Sequence, residues 1–83
     1  MPLDAEEISA KLARALSDEF EVPLSSLTPD APLVDTLRLD SLDMVDLVIL
    51  IENETGIHMQ RADFQGIETY AQLVEQIVRK SNE

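Results

Sequence analysis

The chain has 83 residues, 17 acidic side chains against 6 basic ones, and a formal net charge of −11. That length holds one domain spanning residues 1–83, and a hydrophobic share of 45% is enough for a compact core. An acidic chain with 4% aromatics and no cysteine offers no surface for nucleic acid or anionic lipid, no disulfide framework and no thiolate zinc site. The fitting partners are proteins with basic patches, or metal cations. No stretch approaches the ~18 apolar residues of a membrane span. The acidic start lacks the basic-then-apolar order of a signal segment, so the expected location is the cytoplasm, without membrane insertion.

Residues 4–18 predict a first helix, because Ala5, Ile8, Leu12, Ala15 and Leu16 recur at helical spacing. Asp4 with Glu7 makes a variant capping box, and Leu3 can staple onto Ile8. Residues 21–39 form a long connection. Pro23, Pro29 and Pro32 discourage a continuing helix, yet Val22, Leu24, Leu27, Leu33, Val34, Leu37 and Leu39 are apolar. The connection is therefore expected to lie across the bundle and feed its core, with a helical turn near Ser25-Ser26-Leu27. Residues 41–55 predict a second helix, capped by Asp40 with Asp43 and stopped by Gly56. Winding at about 100° per residue puts Met44, Leu47, Val48 and Ile51 on a core face. Leu42, Val45, Asp46, Ile49 and Asn53 share the opposite face, with Asp43 and Glu52 at its margins. Exposed aliphatics among carboxylates are unusual for a purely solvated surface. Residues 60–65 allow one or two helical turns. Thr69 with Gln72 caps a last helix carrying Tyr70, Leu73, Val74, Ile77 and Val78, with Arg79 and Lys80 at its end. The fold class is all-α: a small bundle of three main helices plus one short helix, with a long loop between the first two main helices.

An enzyme site is hard to assemble from these residues, and no catalytic residue is assigned. His58 is the single imidazole and reads as a surface residue past a helix end. Asp30, Asp35 and Asp40 do not follow calcium-loop spacing, and no metal ligand set is expected. The segment Leu37-Arg38-Leu39-Asp40-Ser41-Leu42-Asp43-Met44-Val45 stands out. It places a serine at the start of a helix after a long loop. Taken alone, Asp-Ser there is a helix cap. The helix dipole would favour an anion attached at that end.

The whole pattern resembles the acyl carrier proteins. Their attachment motif is Asp-Ser-Leu at the start of the second helix, found here as Asp40-Ser41-Leu42. The similarity extends to Leu37, to Asp43, Val45, Asp46, Leu47 and Val48, to Glu52 before Gly56-Ile57, and to Ile67-Glu68-Thr69 before the last helix. The resemblance implies a monomeric, non-catalytic carrier. Its Ser41 is esterified with 4′-phosphopantetheine from coenzyme A by a phosphopantetheinyl transferase, and the terminal thiol carries acyl groups as thioesters. It also implies docking of acyl-transfer and synthase enzymes with basic patches. Asp40, Asp43, Asp46 and Glu52 supply charge, and Leu42, Val45 and Ile49 supply apolar contact.

The chain departs from the family pattern at two places. Arg38 stands where many carriers have glycine, and the segment His58-Met59-Gln60-Arg61-Ala62-Asp63-Phe64 replaces an acidic short helix. These changes point to a dedicated carrier for an unusual lipid, a polyketide or another secondary product rather than the general fatty-acid carrier. Two other readings stay open at this level: an aminoacyl or peptidyl carrier, and an acidic adaptor domain without the arm.

Overall fold

The computed structural model describes residues 4–82. Four α-helices follow one another: α1 (Ala5–Phe20), α2 (Leu33–Leu37), α3 (Ser41–Thr55) and α4 (Tyr70–Ser81). Single 3-10 turns lie at Leu24–Ser26 and Arg61–Phe64. Helix α1 packs against both α3 and α4. The three long helices are the ones the periodicity predicts, and the short turn expected at residues 60–65 is the 3-10 turn at Arg61–Phe64.

Helix α1 starts where Asp4 accepts a hydrogen bond from the Glu6 N–H at 3.2 Å, so the cap runs through Glu6 rather than through Glu7. The expected staple from Leu3 lies outside the described residues. The helix continues two residues past Asp18. It ends where Glu21 turns left-handed at φ 54° and its N–H donates to the Ser17 carbonyl.

The connection holds more structure than its prolines suggest. Pro32 occupies the N-cap of α2, where the absent N–H costs nothing. Leu27, Leu33 and Leu37 are buried, and Val22 and Leu39 pack against the core. Leu24 and Val34, expected inside with them, are 51% and 53% exposed. The connection is also stitched to the start of α4. Leu33 N–H donates to the Glu68 carbonyl at 2.8 Å, Tyr70 N–H to Ala31 at 3.0 Å and Ala71 N–H to Pro29 at 3.0 Å. Two first-turn donors of α4, which have no partner inside their helix, are thereby satisfied by the loop. Thr69 and Gln72 complete the capping box foreseen there.

The core is aliphatic. Ile8, Leu12 and Leu16 of α1 join Leu47 and Ile51 of α3 and Leu73 and Ile77 of α4 in one buried cluster, together with Met59. Burying each such side chain contributes about 1.5–3 kcal/mol. Met44 packs at the edge as expected. Leu50, not assigned to the core face, also packs against it, while Val48 is only partly buried. Tyr70 is buried and its hydroxyl donates to the Ser9 carbonyl, which ties α4 to α1. Burial pushes the phenol above its ordinary value.

The 3-10 turn at Arg61–Phe64 is held by Asp63. Its carboxylate accepts from Lys80 Nζ of α4 at 2.6 Å and from the Gln60 N–H at 2.7 Å. The Lys80 hydrogen bond, aided by Gln60, holds the Asp63 carboxyl below its ordinary 3.8. A depressed carboxylate stabilises the fold at pH above that ordinary value, and the contribution is lost as pH falls through the folded-state value. Lys80→Met should therefore weaken the fold near neutrality and flatten its loss of stability below about pH 4. Thermal melts of both proteins from pH 6 to pH 2.5 check this. Parallel profiles would show that the pair does not link the turn to α4.

Charge crowding bears on the whole molecule. Among the described residues only two Lys or Arg side chains pair with a carboxylate, against a net charge of −11. The melting temperature should rise between about 0.01 M and 0.15 M salt, as the Debye length falls from about 30 Å to about 8 Å. A melting temperature that stayed flat or fell would mean that repulsion is not a main destabiliser.

Candidate functional site

Ser41 is the first residue of α3 and is exposed. The preceding Asp40 has extended backbone and turns its carboxylate onto the new helix. Its Oδ1 accepts from Leu42 N–H at 3.0 Å and Asp43 N–H at 2.9 Å. Asp43 Oδ2 reciprocates by accepting from Asp40 N–H at 3.2 Å. This capping box fixes the helix start, and Leu47 and Ile51, fully buried, fix the helix behind it. The Ser41 hydroxyl takes part in none of the hydrogen bonds among the described residues. It is an unpartnered hydroxyl at a solvent-facing helix start.

The box alters the electrostatics expected of this helix end. Leu42 and Asp43 N–H groups already serve Asp40, and the Met44 N–H serves the Asp40 carbonyl. The backbone donors that would cradle an anion are therefore largely taken. Two carboxylates also stand beside the serine and oppose the favourable end of the dipole.

The face of α3 beyond Ser41 carries Leu42, Val45 and Ile49, which are 78%, 54% and 51% exposed. The four acids expected to dock partners are not equivalent. Asp40 and Asp43 are committed to the capping box. Glu52 meets His58 Nδ1 at 3.1 Å. Asp46 is exposed and enters no ion pair or hydrogen bond among the described residues, so its charge faces solvent uncompensated. Two further aliphatics off this helix, Leu24 and Val34, are exposed as well. They lie in elements of three and five residues, too short to carry a periodic signature.

A match to the family model for the phosphopantetheine attachment site covers residues 10–77. The acyl carrier protein of Thermotoga maritima is 40% identical over 75 residues, covering 90% of this chain and 93% of the relative. That of Saccharopolyspora erythraea is 33% identical over 73 residues, covering 88% and 77%. The meromycolate extension acyl carrier protein of Mycobacterium tuberculosis is 31% identical over all 83 residues and 72% of its own length. The chain belongs to the acyl carrier protein family. It carries a covalently attached 4′-phosphopantetheine, whose terminal thiol supplies the thioester chemistry that the cysteine-free chain lacks. The residues present fit that group, since a serine hydroxyl without internal partners stands at the exposed head of a capped helix.

Family membership gives meaning to the two departures. Arg38 is the C-cap of α2 and sits at φ 54°, ψ 49°, a left-handed conformation that suits glycine. An L-residue there costs roughly 1–2 kcal/mol. The turn at Arg61–Phe64 is bound to α4 by Asp63, so its one acid is neutralised by Lys80. Members of the family work with synthases and acyl-transfer enzymes, and they are carriers rather than catalysts. No helix among the described residues is long and apolar enough to cross a membrane.

Proposed function

We propose that Ser41 receives the 4′-phosphopantetheine and that the chain works as a monomeric single carrier domain across residues 1–83. The observation that carries this reading is the unbonded Ser41 hydroxyl at the first position of α3, locked by the Asp40–Asp43 box beside the exposed Leu42, Val45 and Ile49. Esterification by coenzyme A would form the Ser41 Oγ–phosphorus bond, break the pyrophosphate bond, release adenosine 3′,5′-bisphosphate and remove the hydroxyl proton. Among the described residues the one imidazole is engaged with Glu52, so the base belongs to the phosphopantetheinyl transferase. The chain supplies a fixed, accessible oxygen and no catalysis of its own. A cytoplasmic location accompanies this reading, because the loading reaction draws on coenzyme A.

The exposed α3 face then docks partners with basic patches, Asp46 steering and the aliphatics contacting. Such an interface is fast to form and weak, which suits a carrier that must leave each enzyme after delivery. The tether keeps the acyl group at high local concentration near a docked active site. Arg38 and the nearly neutral turn at Arg61–Phe64 support a dedicated carrier for an unusual lipid or a polyketide over the general fatty-acid carrier. The test is mass analysis of the arm on protein isolated from its own cells. A fatty or polyketide acyl thioester is the expected result. An aminoacyl thioester would make it a peptidyl-type carrier, and a chain without any arm would make it an adaptor.

A further inference from the structure

The geometry points to Arg38 as the residue that positions the arm, by pairing its guanidinium with the phosphodiester on Ser41. This rests on the attachment reading above and adds a residue to it. Three observations on different levels lead here. The first is that the backbone donors of Leu42 and Asp43 are already taken by Asp40, so the helix start has little left to offer a phosphate. The second is the local charge. Loading adds an anion beside Asp40 and Asp43, with Asp35 and Asp46 also near in the chain, and Arg38 is the one cation from residue 35 to residue 46. The third is that Arg38 is exposed and forms no ion pair among the described residues, although acids outnumber bases almost three to one in this chain.

Reach permits the contact. Three residues of chain span at most about 11 Å between the Arg38 and Ser41 α-carbons, and both the arginine side chain and the arm extend into that interval. Arg38 also borders an open cleft of about 850 Å³ whose lining includes Phe20 and Val22 and the carboxylates of Glu19, Glu21, Asp35 and Asp43. Those carboxylates compete for the guanidinium. Among the described residues none of the four pairs with Arg38 and Asp43 is committed to the cap, which leaves the guanidinium's planar two-bond fork open to the phosphate oxygens. The left-handed backbone at Arg38 is thus occupied by a side chain with a use for that place, where glycine would relieve the strain and leave the phosphate unpaired.

The experiment compares arm-free and loaded forms of the parent, Arg38→Gln and Arg38→Gly, with loading verified by intact mass. In ¹⁵N-labelled parent protein, the Arg38 Nε–Hε signal should move on loading, while those of Arg14, Arg61 and Arg79 stay put. At low salt, loading should raise the melting temperature of the parent by roughly 2–6 °C more than that of Arg38→Gln, and the gap should close in moderate salt. Arg38→Gly separates backbone from charge, since relief of strain raises both its forms alike. An Arg38 signal that moves no more than that of Arg61, together with an equal loading shift in parent and Arg38→Gln, overturns the pairing and leaves the Ser41 attachment standing. A parent that does not load overturns both.

Discussion

Ser41→Ala should yield a protein that folds like its parent and takes up no phosphopantetheine. The structural half of this expectation follows from the capping box. Asp40 supplies the cap and Ser41 contributes no side-chain hydrogen bond among the described residues, so removing its hydroxyl leaves the hydrogen bonds of the capping box intact. Alanine is also the best helix former for the position that follows the cap. The stability change should stay within about 0.5 kcal/mol, as for surface substitutions that touch no special feature. Asp40→Ala makes the contrast, since it strips the acceptor from two backbone N–H groups and should cost about 0.5–2 kcal/mol. The chemical half is all-or-none, because no neighbouring side chain supplies an equivalent oxygen on the same mount. Thermal melts and intact mass after incubation with a phosphopantetheinyl transferase and coenzyme A check both halves. A variant that gains the arm as well as the parent would place the attachment elsewhere.

Asp46→Lys should slow association with a transferase or an acyl-transfer enzyme by about tenfold at low salt, the lower end of electrostatic steering effects. Asp46 is the cleanest probe on α3 because its charge is uncompensated. Reversing Asp43 would also break the capping box, and Glu52 is already shared with His58. The effect should fade as salt shortens the Debye length from about 30 Å at 0.01 M to about 10 Å at 0.1 M. Asp63 offers the control. Its charge is held against Lys80 at 2.6 Å, so it contributes little field at a distance, and Asp63→Asn should slow association far less. Stopped-flow rates across a salt series measure both. Equal losses at Asp46 and Asp63 would make the turn at Arg61–Phe64 a docking element in its own right.

The three long helices could be read from sequence because each combines an apolar stripe with a cap and a stop: Asp4 for α1, Asp40 and Gly56 for α3, Thr69 and Gln72 for α4. Helix α2 is not legible, because five residues are too few to show a period and because Pro32, a breaker by type, serves as its cap. The outward orientation of Leu24 and Val34 is not legible, because composition does not tell which way a turn faces. The stitching of Pro29, Ala31 and Leu33 to the head of α4 uses backbone groups alone and leaves no mark in residue types. At the site, the motif led to Ser41 and the spacing led to the Asp40–Asp43 box. The pairing of Glu52 with His58 and of Asp63 with Lys80 depends on how α3, the 3-10 turn and α4 come together, and so appears only in three dimensions.

The central claim is the chemical identity of the loaded oxygen. Tandem mass spectrometry of the digested, loaded protein tests it at single-residue resolution. The account predicts the phosphopantetheinyl mass on Ser41 and on no other hydroxyl. Finding it on Ser25, Ser26 or any other residue, with Ser41 unmodified, would contradict the account.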